Sequence, residues 1–400
     1  MSLTDSRAPV APVDMTADAF LRDPIGHYRQ IRPLGRLVYV PGAHAFVTTG
    51  YQDGAAALRE PRLTAFHYQQ SWRKIAKAAG RDHSPVFLLL SYMPFSHEGD
   101  RHRELRATLA QGLAPIAGGG PALDAAIAAR LTMLRGNGGF DLVHDFTRHL
   151  LFHTICDLME IPTDDRSHIS PIATMSWAIE TTISVKQRDQ LAETTRLVLE
   201  YLRPHVATAI AKSENGLFRG IHDGLPATEE DKITAVAMLA LVMLVMGNDA
   251  VGSCVSMGVR RLLDPANPVP VPQRDWAAVS DDAIRYSAPV DYTIREASED
   301  IEVAGCPIMK GEYVFSSMLS ANHDPAQYGD TAEAITPRRD VGLAFGAGRH
   351  LCVGNRLTRT IVKSAMAALA ESPPMRLAGE ARHGSGKVVR TLTALPVEFA

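Results

Sequence analysis

Four cysteines stand at positions 156, 254, 306 and 352, and the last sits in a setting that a structural thiol does not need. Around it the chain reads Phe345-Gly346-Ala347-Gly348-Arg349-His350-Leu351-Cys352-Val353-Gly354. Glycines at 346, 348 and 354 permit backbone angles and close approaches that a side chain blocks, so the loop can be tight. A thiolate held on such a loop can be pressed against a bulky metal complex. Phe345 can then shield the sulfur from water, and loop N–H groups can donate to it. The helix expected over Asn355 to Ala370 starts just after the cysteine, and a helix N-terminus stabilises a thiolate. An inert cysteine in a glycine-rich turn is the alternative, but it leaves six defined positions in one register unexplained. Zinc would need further ligands at set spacing, which His350 and Cys352 alone do not supply. No two cysteines form a CxxC, so a disulfide framework is excluded and the other three read as reduced, buried small hydrophobes.

Three further groups have chemical potential. His102 and Arg106 lie four apart, on one face of a helix expected over Asp100 to Leu113. Asp282-Ala283-Ile284-Arg285 offers an i, i+3 acid–base pair. The longest helical candidate starts at Thr228, where Thr228 with Asp231 resembles a capping box and Glu229 and Glu230 favour the dipole's positive end. It runs to about Leu263, before Asp264-Pro265. Its middle is apolar on all faces and belongs in the protein centre, yet Gly247-Asn248-Asp249 interrupts the apolar stretch. An acid at 249 is costly to bury without a purpose.

The elements that must position these groups are mostly helical. Apolar residues recur at helical spacing over Tyr51 to Arg59, Gly120 to Leu134, Asp141 to Glu160, Gln187 to Ser213 and Trp276 to Tyr286. GRLVYVPGAHAFVTTGY (35–51) reads as a hairpin turning at Pro41-Gly42, and a second β-rich patch runs from about Tyr292 to Phe315. The expected fold class is mainly α with small β-sheets. No repeat or composition break marks a boundary, so 1–400 is read as a single domain with 1–15 as a flexible lead. PANPVPVPQ (265–273) is a connection within it.

Of 400 residues, 46% are hydrophobic and 21% charged, with a net charge of −3. That balance gives no global pull toward nucleic acid or an anionic membrane. The N-terminus, MSLTDSRAPVAPVDMT, has no apolar h-region, and the longest apolar run, Ala235 to Met246, is too short to span a bilayer. The expectation is a cytoplasmic protein.

The cysteine loop resembles the haem-binding signature of the cytochrome P450 family, Phe-Gly-x-Gly-x-His-x-Cys-x-Gly, at every fixed position. The order of elements is similar to that of the soluble bacterial enzymes from about residue 20 to the end. The resemblance implies a triangular-prism fold enclosing haem b (iron protoporphyrin IX), with Cys352 as axial ligand giving electron density to the iron. It implies that Phe345, Gly346 and Gly354 shape the cofactor loop. It also implies that His102, Arg106, Arg295 and His350 hold the haem propionates, which need cationic or hydrogen-bonding partners. Asp282 and Arg285 match the family's structural Glu-x-x-Arg pair, with the acid one methylene shorter. Arg338 or Arg339 would be the third partner.

At the oxygen site this sequence departs from the family. Met246-Gly247-Asn248-Asp249-Ala250 keeps the Gly and the acid, but Ala250 stands where an alcohol is expected. Either a hydroxylase delivers protons through water held by Asp249, Asn248 or a substrate hydroxyl, or the task is oxidative coupling or cyclisation. Substrate contacts implied by the resemblance fall between Phe66 and Phe95, around Ile172 to Val185, at Val242, Met246 and Ala250, and over Val290 to Ile294. Asp291, Tyr292 and Thr293 are the polar members, and Leu392 adds a wall. A small, largely apolar natural-product substrate, suited to secondary metabolism, follows as the default for such pockets. Arg101, Arg103, Arg349, Arg356 and Arg359 flank the cysteine side and would steer an acidic ferredoxin. No Gly-x-Gly-x-x-Gly follows a strand, so the reductase is expected to be separate. Dioxygen as co-substrate and a monomeric state complete the reading. Direct use of peroxide, or a non-catalytic haem-binding protein, are the competing functions.

Overall fold

In the computed structural model, residues 7–399 are described, apart from 13, 16, 137, 181–182, 214–215 and 267–274. Most of the Pro-rich 265–273 connection therefore lies outside the described residues, as do residues 1–6 and 13 of the expected lead. The rest of that lead is docked rather than loose. Val10 bridges Tyr39 in parallel, Ala11 N–H donates to Tyr39 O at 2.9 Å, and Arg7 pairs with Glu312.

The central helix, Lys232–Leu263, organises the molecule. It starts later than Thr228 because the residue that caps it is Asp231. The Asp231 carboxylate accepts the Thr234 N–H at 3.0 Å and the Thr234 hydroxyl at 2.7 Å, satisfying donors that the first turn leaves free. Gly247-Asn248-Asp249 does not break it. Length and hydropathy alone would let this helix cross a membrane, but 72% of its most apolar window is buried inside the protein. It packs against Trp276–Ser287, Val185–Lys212 and Asn355–Ala370.

The expected helix over Asp141 to Glu160 divides into a π-helical turn, Leu142–Arg148, and a regular helix, His149–Leu158. Asp141 caps the turn by accepting the N–H groups of Val143 and His144. Beyond it, Thr163–His168, Ser170–Thr174 and Ser176–Ile179 are three short 3-10 segments. They join Val185–Lys212, whose N-terminus carries a Ser184/Gln187 capping box.

The hairpin is present as Leu37–Val40 and Ala45–Thr48, antiparallel, with Leu37 opposite Thr48. It extends into a five-stranded mixed sheet. Ala45–Thr48 lies parallel to Tyr313–Ser317, which pairs antiparallel with Tyr292–Ala297, and Leu63–Ala65 closes the edge. The Tyr292–Ala297 strand thereby carries Arg295 toward the interior.

Asp282 and Arg285 pair on the Trp276–Ser287 helix, and both side chains are wholly buried. Arg285 also donates to the carbonyls of Ala332 (2.9 Å) and Ala334 (2.7 Å) and lies over the Tyr328 ring. The third partner is Arg338, 3.0 Å from Asp282 Oδ1, whereas Arg339 pairs with Asp275. The shorter acid reaches because the following segment closes onto it: the Thr336 N–H donates to Asp282 Oδ2 at 2.5 Å.

Candidate active site

The loop around Cys352 is built by close backbone approach. Gly346 has φ +71° and donates its N–H to Leu343 O at 2.8 Å. Gly348 has φ +69°, and a Cβ there would stand 2.9 Å from the Leu58 carbonyl, so no side chain fits. The Cys352 N–H donates to Phe345 O at 2.9 Å, closing the loop. Asn355, the first residue of helix Asn355–Ala370, donates its amide to Cys352 O at 2.6 Å. Burial pushes the Cys352 thiol up, opposed by the Gly354 N–H and by the charge of Arg106.

Cys352 opens into a cavity of about 320 Å³. Phe345, Gly346, His350 and Gly354 line its loop side, and Arg106 and Arg295 add positive charge. Arg295 is 4% exposed, and its guanidinium hydrogen-bonds no other described residue. His102 Nε2 and His350 Nδ1 are likewise buried without partners, and the two rings stand 4.3 Å apart. Burial, helped by His350 and Arg106, lowers the His102 pKa to about 4. Burial also lowers His350, although Glu98 lies 3.0 Å from its Nε2. A buried cation and two orphaned ring nitrogens are costly to leave unpaired. A flat, anionic cofactor with its carboxylates at this end supplies what they lack, so the residues fit haem.

Glu98 holds the site's rim. Burial pushes its carboxyl up, but hydrogen bonds from His350 and Arg349 outweigh this and hold it well below the usual carboxylate range. Arg349 donates to it at 2.7 Å, and the Ala65 N–H donates at 2.7 Å. Most of the cysteine-side arginines are paired in the same way. Arg101 meets Glu229, Arg103 meets Asp100, and Arg359 meets Asp281. Arg356 is exposed and has no ion pair among the described residues.

The central helix supplies the opposite wall through Val242, Met243, Met246, Gly247, Ala250 and Val251. Asn248 and Asp249 fall on another face of the helix and do not line the cavity. Asn248 donates to Ala173 O at 3.2 Å. Asp249 is buried, accepts the Ser176 hydroxyl at 2.7 Å, and has Arg148 at 4.0 Å. Burial raises its pKa against those two partners.

Val290 and Tyr292 line the cavity as expected, but Asp291 does not. Its carboxylate points into the core, where Oδ1 accepts from Tyr28 (2.8 Å) and Ser317 (3.2 Å). Burial raises its pKa to about 6. Leu392 is core as well, in strand Leu392–Ala394. The wall expected of it is made by Val388, four residues earlier. Tyr68, Phe95, Leu158 and Ile179 also line the cavity, as does the expected polar contact Thr293. The first two fall within the stretch expected to contact substrate, and no periodicity distinguishes them there. Residues 181–182 of the expected Ile172 to Val185 region lie outside the described residues.

A family model described as Cytochrome P450 matches residues 277–371, which hold the Asp282–Arg285 pair and the cysteine loop. The chain is similar to the biotin biosynthesis cytochrome P450 of Bacillus subtilis, at 25% identity over 399 residues, 95% of this chain and 97% of that one. It is equally similar to the 6-deoxyerythronolide B hydroxylase of Saccharopolyspora erythraea, at 25% over 372 residues, 89% and 90% of the two chains. Its fold matches that of P450BioI in complex with hexadec-9Z-enoic acid ligated acyl carrier protein. That match has a TM-score of 0.81 at 23% identity and covers 96% of this chain and 100% of that one. With a mainly helical fold, a cysteine loop on a cavity and a family-model match over residues 277–371, the chain is similar, over nearly its whole length, to bacterial haem-dependent monooxygenases of the cytochrome P450 family.

Proposed function

We propose that the protein binds haem b through Cys352 and oxidises a small, largely apolar natural product, using dioxygen and electrons from a ferredoxin with its separate reductase. One observation carries this reading: the half-buried Cys352 thiol and the Arg295 guanidinium, unpartnered among the described residues, open onto one cavity whose far wall is apolar. Haem, when bound, supplies the redox-active iron at which dioxygen is activated.

The chain's own groups do the rest. The Phe345 carbonyl and the Gly354 N–H fix Cys352, which would ligate the haem iron and, as a thiolate, supply it with electron density. Arg106 and Arg295, with His102 and His350, would hold the propionates. The central-helix residues on the cavity carry no O–H or N–H side-chain donor, so protons reach the reaction through water or a hydroxyl of the substrate. Asp249 is the reserve behind that wall, held off the cavity by Ser176. Gly247 and Ala250 leave room for substrate near the reacting centre. The apolar lining excludes bulk water, which strengthens every electrostatic contact within.

A natural-product substrate is supported by the names of the relatives, one a biotin biosynthesis enzyme and one a hydroxylase of 6-deoxyerythronolide B. A cytoplasmic monomer, folded as a single domain, fits this role. The missing alcohol at Ala250 favours one second reading, oxidative coupling or ring formation, in which proton delivery to oxygen matters less. The test has two stages. Reduced protein under carbon monoxide must develop the red-shifted Soret band of a thiolate complex, and its absence ends the proposal. A spin-state titration across natural products, followed by turnover with a surrogate ferredoxin pair or with peroxide alone, then separates monooxygenase, peroxide-driven and non-catalytic behaviour.

A further inference from the structure

Away from the cysteine loop the cavity wall is apolar except along one strip, made by Tyr68, Tyr292 and Thr293, whose Oγ1 is buried without a partner among the described residues. Tyr68 and Tyr292 both line it, both are more than nine-tenths buried, and neither hydroxyl hydrogen-bonds another described residue. Their rings are fixed. Tyr292 stacks on Phe315 at 4.6 Å and 5°, and Tyr68 meets Phe66 and Phe95 edge-on. A buried phenol without a partner is costly, so this pair is built for a ligand group that arrives with the substrate.

Between two segments that line the cavity, at Ile179 and Val388, stands Glu180, 4% exposed. Its Oε1 accepts the N–H groups of Lys387 and Val388, both at 2.7 Å, and this fastens the turn that puts Val388 on the cavity to the segment that puts Ile179 there. Burial first, and the charge of Glu180 second, disfavour ionisation of both phenols, so they remain neutral donors. Burial raises the Glu180 pKa, opposed by the N–H groups of Val388 and Lys387 and last by the Lys387 ammonium, which does not line the cavity. The cations that do line it, Arg106 and Arg295 with His350, lie with the cofactor. An anionic substrate group at the phenols would meet a carboxylate, and the one lining cation whose charge reaches Tyr68, Arg295, would be taken by a propionate.

We infer that the substrate presents a neutral hydrogen-bonding group, an alcohol, amide or carbonyl, to Tyr68 and Tyr292, and that Glu180 rejects a carboxylate there. The inference rests on the haem-thiolate reading and deepens it. Glu180 is a positioning and selecting residue; the phenols are the binding groups.

The test uses holoprotein and two imidazoles that differ only at the end of a twelve-carbon chain, one an ω-alcohol and one an ω-carboxylic acid. Both are anchored by the imidazole on iron, so the difference in affinity reports the far end. The alcohol should bind roughly tenfold more tightly, since like-charge juxtaposition in a desolvated site is costly. Tyr68→Phe with Tyr292→Phe should weaken the alcohol by a similar factor. Glu180→Gln keeps an oxygen for the two N–H groups while removing the charge, and should bring the acid close to the alcohol. Equal or tighter binding of the acid by wild type, or an alcohol affinity unmoved in the double variant, overturns the inference. The carbon monoxide spectrum of each variant reports the thiolate centre independently, so loss of that band strikes the parent reading instead.

Discussion

Asp282 is the place where a single atom group can be weighed. Its carboxylate answers Arg285, Arg338 and the Thr336 N–H while fully buried. In Asp282→Ala, Arg285 keeps its carbonyl partners at Asn322, Ala332 and Ala334 but loses its counter-charge. Removing one member of a buried pair costs about 3–5 kcal/mol. Asp282→Asn should cost less, about 2 kcal/mol, because the amide oxygen can still accept the Thr336 N–H. Asp282→Glu lengthens the arm in a space closed around the shorter one and should cost about 1–3 kcal/mol through overpacking. Urea unfolding of holoprotein at matched haem saturation, followed by far-ultraviolet circular dichroism and the Soret band, reads all three. An Asp282→Ala loss under about 1 kcal/mol, or an Asp282→Glu protein more stable than wild type, would refute the claim that the segment around Thr336 closes to fit this acid.

Other outcomes follow from the site and the core. Cys352→Ala should abolish the red-shifted carbon monoxide band while leaving the far-ultraviolet spectrum near native. Arg295→Leu, measured by haem transfer to an apo-acceptor protein, should lose haem faster by an order of magnitude or more, since charge-assisted bonds to carboxylates contribute about 1.5–3 kcal/mol each. Asp291 has its pKa raised by burial to about 6, so the folded state holds its proton more tightly than the unfolded one. Its contribution to stability is therefore lost as pH rises from about 4 to about 6, by on the order of 3 kcal/mol. Asp291→Asn should gain on wild type across that window, and parallel curves for the two proteins from pH 4 to 7 would contradict the assignment. Ala250→Phe fills the wall over the reacting centre and should weaken 4-phenylimidazole, read by its ligation spectrum, by about a hundredfold.

The thiolate loop was legible because its chemistry admits few sequences: the turn at Gly348 has no room for a Cβ, and the cysteine must precede a helix. The long helix was legible from its all-round apolar character, but its first residue was not, because a cap is chosen by which carboxylate meets the third N–H, and Asp231 outcompetes Thr228. The polar half of the pocket was the least readable. Asp291 stands beside two cavity residues in sequence, yet Tyr28, 263 positions away, turns its carboxylate inward. Glu180 follows an apolar stretch and carries no local signal, since its partners are 207 and 208 residues distant. Val388 and Leu392 are both apolar, and only the strand pairing of the second sends it into the core. Asp249 was visible as an acid with a purpose; that it faces Ser176 rather than the cavity depends on helix rotation, which an apolar-all-round pattern does not encode.

The cysteine-side arginines were expected to present a positive field, and the structure instead gives four of five a resident carboxylate. Such a surface is a mosaic of short dipoles whose influence fades within a few ångströms of the protein. A redox protein approaching it would gain little long-range guidance and would have to displace Glu98, Asp100, Glu229 or Asp281 at contact. Its association rate should then vary only shallowly with ionic strength, and selectivity among donors would rest on the fit around exposed Leu351 and Arg356.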